Sequence, residues 1–255
     1  NVAIGCKALG TGAVTGNYNV AFGYNAGLKA TSSTSSIYIG KGAGESNCTG
    51  SNSIIIGRSA GYTGQEICQN IIIGEEAGFA GSMTGKYNTI MGMQAGCDVT
   101  SGQYNTLLGY LAATNLTGGH DNIALGCKAG QSILGGSSNI FLGSSAGNAD
   151  DDGTHQVFIG CGAGLYMQGD TNIGLGYQSL RGSTTASNNS GTDNIAIGMC
   201  AGHENTSGTQ NIFLGRQAAN TNTSGNRNIA VGYDVELPSA TGNDQLAIGC
   251  GASRW

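Results

Sequence analysis

The residue types most often used for catalysis or metal binding are scarce in this sequence of 255 residues. The three histidines, His120, His155 and His203, lie in different copies of a short repeat and at different positions within it, so they do not converge as catalytic groups or metal ligands would. The acidic run Asp150–Asp152, followed by His155, could hold a hard cation, but a solvated acidic turn is the favoured interpretation. We therefore predict no catalytic residue, no metal site, no cofactor and no enzymatic activity.

Eight cysteines are the remaining reactive side chains. Four of them share one position of the repeat, and the closest two are two copies apart, which is about 9.5 Å at β-strand spacing. A disulfide requires Cα atoms within about 7 Å, so this position cannot form a bridge within one chain. Free thiols in a reducing compartment and bridges between neighbouring chains both stay open. The four are Cys6, Cys127, Cys161 and Cys250, and the others are Cys48, Cys68, Cys97 and Cys200.

A polar stretch, Arg181–Asp193, forms the longest interruption of the repeat, with the sequence R-G-S-T-T-A-S-N-N-S-G-T-D. It is too long for one tight turn, so we expect it to bulge from the repeat. Protruding loops on rigid scaffolds are common sites of recognition, although a passive insertion is the alternative. The candidate ligand contacts in this stretch are Arg181, Thr184, Asn188, Asn189 and Asp193.

These residues are carried by fifteen copies of a motif typified by N-I-A-I-G-x-x-A-G, and ten of the fourteen intervals between copies are 17 residues. The period is too short for a strand, a helix and a return, so each copy is one turn, here called a rung, of a solenoid. The predicted fold is all-β, a parallel β-solenoid or β-roll of about fifteen 17-residue rungs. We expect a single repeat array over residues 1–255, and, because neither end carries a polar capping copy, a rod segment of a longer fibre.

Position 5 of the rung is glycine in every copy. A backbone corner that needs positive φ, or that leaves no room for a Cβ, explains this choice. The corner glycines are Gly5, Gly23, Gly40, Gly57, Gly74, Gly92, Gly109, Gly126, Gly143, Gly160, Gly176, Gly198, Gly215, Gly232 and Gly249.

Apolar residues occupy both faces of the predicted strand. Positions 2 and 4 are Val, Ile, Leu, Met or Phe except at Thr89 and Thr106, and position 8 is almost always Ala, so we predict that these positions form the core. Position 3 lies on the opposite face and is also apolar. A strand that is apolar on both faces is normally covered on both, so position 3 is predicted to be the interface with other copies of the chain, and isolated exposed apolar residues are the alternative. The interface candidates are Tyr38, Ile55, Ile72, Ile90, Leu107, Phe141, Phe158 and Phe213.

Asparagine opens eleven of the fifteen copies. Stacked amides can hydrogen-bond along the direction of stacking, as Asn ladders do, so we interpret this column as structural. Arg58 and Glu75 occupy one column on adjacent rungs and are placed to pair. Five Asn-x-Ser/Thr sequences lie in the return segments, where they are either turn chemistry or, in a glycosylating compartment, glycan acceptors. They begin at Asn47, Asn115, Asn188, Asn205 and Asn222.

The sequences N-V-A-I-G at Asn1–Gly5 and N-I-A-I-G at Asn194–Gly198 resemble the head repeats of trimeric autotransporter adhesins. Similar repeats occur in tail fibres of bacteriophages and in fibre-like proteins of large viruses. The resemblance implies a left-handed parallel β-roll that assembles as a homotrimer. The 17-residue period is longer than that of the adhesin heads and eight cysteines are unusual for that family, which favours a viral or phage fibre, or a relative on some other surface.

The expected function is that of a fibre shaft or adhesin head of a viral, phage or cell-surface appendage that mediates attachment, at the virion surface or outside the cell. The partners would be further copies of the chain and a cell-surface receptor or glycan. A net charge of −5 provides no basic surface for nucleic acid, and we expect no contact with a membrane within this segment. The alternative is a self-assembled extracellular filament without a specific receptor.

Overall fold

A computed structural model describes residues 1–10, 12–79, 83–149, 152–185, 189–251 and 253–254. The described residues contain no helix, and fifteen short parallel strands form a β-solenoid in which most rungs are 17 residues long. The fold class predicted from the repeat is therefore confirmed. The chain divides into two compact units, residues 1–124 and 125–255, and each is built from the same rung. That residues 1–255 act as a single array stays a prediction.

Each strand is short because a glycine follows its β-branched or other apolar residues. The first unit contains β1 (Val2–Ile4), β2 (Val20–Phe22), β3 (Ile37–Ile39), β4 (Ile54–Ile56), β5 (Ile71–Ile73), β6 (Thr89–Met91) and β7 (Thr106–Leu108). Strand β8 (Ile123–Leu125) spans the division. The second unit contains β9 (Ile140–Leu142), β10 (Val157–Ile159), β11 (Ile173–Leu175), β12 (Ile195–Ile197), β13 (Ile212–Leu214), β14 (Ile229–Tyr233), β15 (Leu246–Cys250) and β16 (Ser253–Arg254).

Successive strands pair in parallel and without slippage inside each unit. In the first unit Val2 lies opposite Val20, and in the second Phe158 lies opposite Gly174. Every position of the repeat therefore stacks on the same position of the next rung. The exception to the parallel order is β16, which pairs with β15 in the antiparallel sense.

The structure inverts the two strand faces predicted from the sequence. Position 3 points into the solenoid, whereas positions 2 and 4 point outward, as at Ile159 and Ile197, which are 39% and 42% exposed. The side chains predicted to form a subunit interface are instead 0 or 1% exposed inside their own chain, so that interpretation is wrong. These residues are Tyr38, Ile55, Ile72, Ile90, Leu107, Phe141, Phe158 and Phe213. The physical reason is the two-residue alternation of a strand: position 3 must share the face of the buried asparagine at position 1.

The core is made mainly by positions 3, 8, 9 and 12 of the rung. Position 8 is a fully buried alanine in most rungs, for example Ala146 and Ala163. The aromatic rings of Phe141 and Phe158 stack on adjacent rungs, with centroids 5.8 Å apart and planes inclined by 10°. The buried hydroxyl of Tyr38 donates a hydrogen bond to Ser33 Oγ at 3.2 Å, and burial raises the pKa of this phenol.

Positions 3 and 9 of the same rung have complementary sizes in several rungs. A Cβ added to Gly147, at position 9, would lie 2.5 Å from the ring of Phe141 at position 3. Tyr38 and Phe158 likewise share their rungs with a glycine, Gly44 and Gly164, and the fourth aromatic rung has Ala219 at position 9. The converse holds where position 3 is smallest: the rung of Gly174 carries Leu180, which is fully buried. In these rungs the volume absent at one position is supplied at the other, whereas the rungs of Ala21, Ala124 and Ala196 have a small residue at both positions.

The corner glycines have a conformation and a packing that exclude other residues. Fourteen of the fifteen have φ between +126° and +141°, and the other, Gly249, lies inside β15. At Gly143 a Cβ would also lie 2.7 Å from the carbonyl O of Gly160 on the next rung. Both explanations offered for the glycine column, positive φ and the lack of room, therefore apply to the same corner.

The opening asparagines form the expected ladder. Most of its hydrogen bonds join a side-chain amide to a backbone N–H or carbonyl group, and fewer join two side-chain amides. Asn211 Oδ1 accepts the backbone N–H of Asn228 at 2.9 Å. Its Nδ2 donates to the carbonyl O of Gly225 at 2.8 Å and to Asn194 Oδ1 at 2.9 Å. The same pattern recurs at Asn105 in the first unit. Each buried amide therefore joins consecutive rungs and also ties the beginning of a rung to its return segment.

Candidate functional site

The longest rung of the second unit borders a pocket of about 320 Å³. The walls come from the stretch that interrupts the repeat and from the two rungs that follow it. We call this the insertion pocket; it is lined by Arg181, Gly182, Ser183, Thr184, His203, Glu204, Thr206 and Thr223.

One buried side chain holds the two ends of the inserted loop together. Asn189 Oδ1 accepts the backbone N–H of Ser183 at 2.8 Å, and Asn189 Nδ2 donates to the carbonyl O of Ser183 at 2.8 Å. Just before the loop, Gly182 N–H donates to the carbonyl O of His203 at 3.1 Å, so the chain is still in the ladder there. The loop therefore leaves and rejoins the rung at a fixed place.

Two opposite charges face the pocket without neutralising each other. The guanidinium of Arg181 lies over the ring of Tyr166, with Cζ 5.0 Å from the centroid, which is within cation–π range. Among the described residues, no ion pair is formed by Arg181 or by Glu204. A partly buried guanidinium held on an aromatic face retains hydrogen-bond donors along its edge.

Between these charges lies His203, which is half-buried. Burial lowers the pKa of this imidazole, the positive charge of Arg181 lowers it further, and Glu204 acts in the opposite direction. The neutral form is therefore favoured at neutral pH, and it offers one donor and one acceptor nitrogen.

Hydroxyl groups complete the lining of the pocket. Thr206 Oγ1 donates to the carbonyl O of Thr223 at 3.0 Å, and Thr223 Oγ1 donates to that of Ala240 at 3.3 Å. Because each hydroxyl hydrogen is directed to the backbone, the oxygen is left as an acceptor. Thr184 is exposed at the inserted loop. The site as a whole offers one cationic donor, one carboxylate and several hydroxyl oxygens.

The structure separates the five ligand-contact candidates. Arg181 and Thr184 line the pocket, whereas Asn189 is fully buried and serves the backbone. Asp193 lies outside the lining and accepts a hydrogen bond from Thr171 Oγ1. Asn188 lies outside the described residues.

Sequence reasoning missed the other half of the pocket. His203, Glu204 and Thr206 occupy positions 10, 11 and 13 of the rung that stacks on the interrupted one. Because the register is constant, side chains at the same position of the next rung necessarily lie beside those of the loop. Aligning the interrupted copy with the next copy, position by position, would have identified these three residues.

A second cleft, of about 440 Å³, lies in the first unit, but its guanidinium already has carboxylate partners. Arg58 pairs with Glu75, as the columns predicted, and also with Glu76 at 3.4 Å. Tyr62 stacks on Phe79 with centroids 5.5 Å apart, and the charge of Glu45 raises the pKa of the Tyr62 phenol, with burial acting in the same direction. These contacts describe a surface ion-pair network that joins adjacent rungs.

The cysteines and the potential glycan acceptors occupy different environments. All eight cysteines lie within the described residues and none is in a disulfide, and those of the shared column, such as Cys127 and Cys161, are exposed. By contrast Asn47, Asn205 and Asn222 are buried and hydrogen-bonded, which agrees with a role in turn structure. The fold leaves no room for a glycan on these three side chains.

Within the described residues, no group of three or more His, Cys, Asp or Glu side chains is placed to hold a metal ion. The acidic run that was weighed as a cation site lies largely outside these residues, since Asp150 and Asp151 are not described. In the part of the chain that the structure covers, none of the elements is a helix with the length and apolar character needed to span a bilayer. No protein-family model, curated protein or solved structure matches this chain.

Proposed function

We propose that this chain is a structural segment of a fibre at a virion surface or outside a cell, and that the fibre takes part in attachment. The observation that carries the proposal is the in-register stacking of nearly identical rungs, joined by the buried asparagine ladder. Stacked repeats of this kind give extended, regular surfaces on which interrupted rungs stand out. A fibre that presents a small number of recognition sites would use the regular rungs as its shaft and an interrupted rung as a site.

Further copies of the same chain are the proposed partner, with a homotrimer as the assembly implied by the adhesin-like repeats. The inversion of the strand faces changes the surface involved: the contact would be made by positions 2 and 4, not by position 3. In the second unit these columns present Ile159, Ile197 and Ile248 to solvent, each about two-fifths exposed. No charged residue occurs at either position in any copy. Continuous apolar surfaces of this kind mark protein contacts.

Sedimentation equilibrium of the full chain tests the assembly. The expected mass is three times that of one chain, and the double variant Ile159→Glu, Ile197→Glu is expected to sediment as a monomer. Ser144→Glu, an exposed change on a neighbouring column, is the matched control and should leave the trimer intact. A wild-type chain that stays monomeric at high concentration would contradict the proposed trimer.

Attachment is tested separately, by immunogold labelling of intact producing cells and virions and by competition with the purified chain. Label on projecting fibres, together with inhibition of adhesion by the free chain, is the expected result. Labelled filaments whose adhesion the free chain does not reduce would instead favour the alternative of a filament without a receptor. Label confined to the cell interior would overturn the proposal.

A further inference from the structure

We propose that the insertion pocket binds a saccharide residue that carries a carboxylate, of the uronic acid type. The inference rests on the proposed role in attachment and specifies the ligand class of that role. It is drawn from the charges, the hydroxyl groups and the size of the pocket.

The carboxylate is assigned to Arg181. Its guanidinium lies over the ring of Tyr166, with Cζ 5.0 Å from the centroid, a contact that favours one orientation of the side chain. Among the described residues it has no carboxylate partner. An ordered guanidinium fork matches the two oxygens of a carboxylate and forms strong charge-assisted hydrogen bonds with them.

The sugar ring is assigned to the remaining wall. Glu204 and the hydroxyl oxygens of Thr206 and Thr223 are acceptors, and His203 supplies one donor and one acceptor nitrogen when neutral. Ring hydroxyl groups are donors and acceptors at once, which suits this mixture. An inorganic anion has no hydroxyl groups to donate to Glu204, and a neutral sugar has no carboxylate for Arg181.

The volume limits the ligand to a small group. About 320 Å³ lies at the lower end of the range of small-molecule pockets, so we expect one or two sugar rings to enter and not an extended chain. Thr184 is exposed at the inserted loop, which leaves a path by which the rest of a glycan could continue into solvent.

Ligand-observed NMR with the full chain tests the inference, with D-glucuronate as the probe and D-glucose as its neutral counterpart. We expect glucuronate to bind at least about tenfold more tightly than glucose, because a charge-assisted pair contributes at least as much as about 1.4 kcal/mol. Arg181→Gln should remove this preference. Arg216→Gln is the matched control, because Arg216 also lies over a tyrosine ring, Tyr233 at 5.1 Å, but outside the pocket.

Circular dichroism and thermal unfolding establish that each variant is folded. If Arg181→Gln does not fold, Thr184→Val at the exposed loop provides the second variant, with an expected severalfold loss of affinity. Equal affinity for glucuronate and glucose, binding that survives Arg181→Gln, or no binding of either sugar would overturn the inference. Such a result, combined with inhibition of adhesion by the free chain, would leave the attachment role standing. Glucuronate binding by a chain found within the cell would contradict the attachment role instead.

Discussion

Gly143 and Gly160 lie so close on adjacent rungs that a Cβ on Gly143 would be 2.7 Å from the carbonyl O of Gly160. Gly143 also has φ +134°, a conformation that is essentially restricted to glycine. We therefore expect Gly143→Val to lower the free energy of unfolding by at least about 2 kcal/mol, from backbone strain and overpacking together. Urea unfolding measures the loss. Ser144→Val, at the next and exposed position, should change it by less than about 0.5 kcal/mol, and equal midpoints for both variants would contradict the prediction.

The inverted strand faces predict unequal costs for two adjacent truncations in β10. Phe158→Ala should reduce the free energy of unfolding by about 3–5 kcal/mol, because it opens a cavity in the core. Ile159→Ala removes a side chain that is already 39% exposed and should cost about 1 kcal/mol. Both are measured at concentrations below those at which the chain associates. A larger loss for Ile159→Ala than for Phe158→Ala would show that the faces are assigned the wrong way round.

Asn211 is expected to contribute more to the free energy of unfolding than a surface polar residue does, because it belongs to the buried asparagine ladder. Asn211→Ala leaves the N–H of Asn228 buried without its partner and removes the shorter of the two side-chain hydrogen bonds to the carbonyl O of Gly225. We expect a loss of about 1–3 kcal/mol in chemical unfolding. Asn211→Gln is the conservative control, because Gln245 occupies the same position of its rung and its Nε2 donates to the carbonyl O of Gly242, at the end of the preceding rung, at 2.8 Å. Equal losses for the two variants would show that the hydrogen bonds are not the cause.

Removing residues 184–188 joins Ser183 to Asn189 and restores a 17-residue rung. We expect the far-ultraviolet circular dichroism spectrum and cooperative unfolding to be retained, because the core columns are untouched and shortening a surface loop changes its closure entropy little. Loss of cooperative unfolding would contradict this. The deletion removes one pocket wall, Thr184, so it should also weaken binding of glucuronate.

Protonation of His203 should oppose folding. Because its pKa in the folded chain is lowered, mainly by burial, the unfolded chain takes up the proton first. Stability is therefore expected to fall as the pH is lowered through about 6.5, the ordinary value for histidine, and His203→Gln should reduce this dependence. In an NMR titration of the imidazole, Arg181→Gln should raise the pKa of His203 and Glu204→Gln should lower it. Unchanged titration in both variants would exclude the pocket electrostatics described above.

The period of the repeat was sufficient to predict the parallel solenoid, the corner glycines and the structural asparagines, because each depends on a spacing that sequence displays directly. The assignment of the two strand faces failed because both are apolar. A signal was nevertheless present: the two threonines among the strand positions, Thr89 and Thr106, both lie at position 2, and both side chains are half-buried on the outward face. Position 3 contains no threonine, and its one polar group is the hydroxyl of Tyr38.

Only part of the insertion pocket could be predicted. The interruption of the period identified Arg181 and Thr184. Asn189 was expected to contact a ligand at the surface, but it is the buried side chain that closes the loop. A single sequence shows that a loop exists but not which of its amides turns inward. Non-glycine residues with positive φ before the opening asparagine, such as Tyr87 at +62° and Tyr104 at +57°, were likewise not foreseen, since tyrosine has no preference for that conformation.

The matched sizes of positions 3 and 9 have a consequence for how such a chain can evolve. A Cβ added to Gly174 would lie 3.0 Å from the ring of Phe158 on the preceding rung, and one added to Gly147 would lie 2.5 Å from the ring of Phe141. Where a position is filled in this way, an enlarging change must be accompanied by a second change at its neighbour, whereas copying a whole rung transmits both members of a matched pair together. Duplication of whole rungs therefore lengthens this solenoid without disturbing its packing. Differences between rungs are then expected at matched pairs of positions, and not as independent point changes.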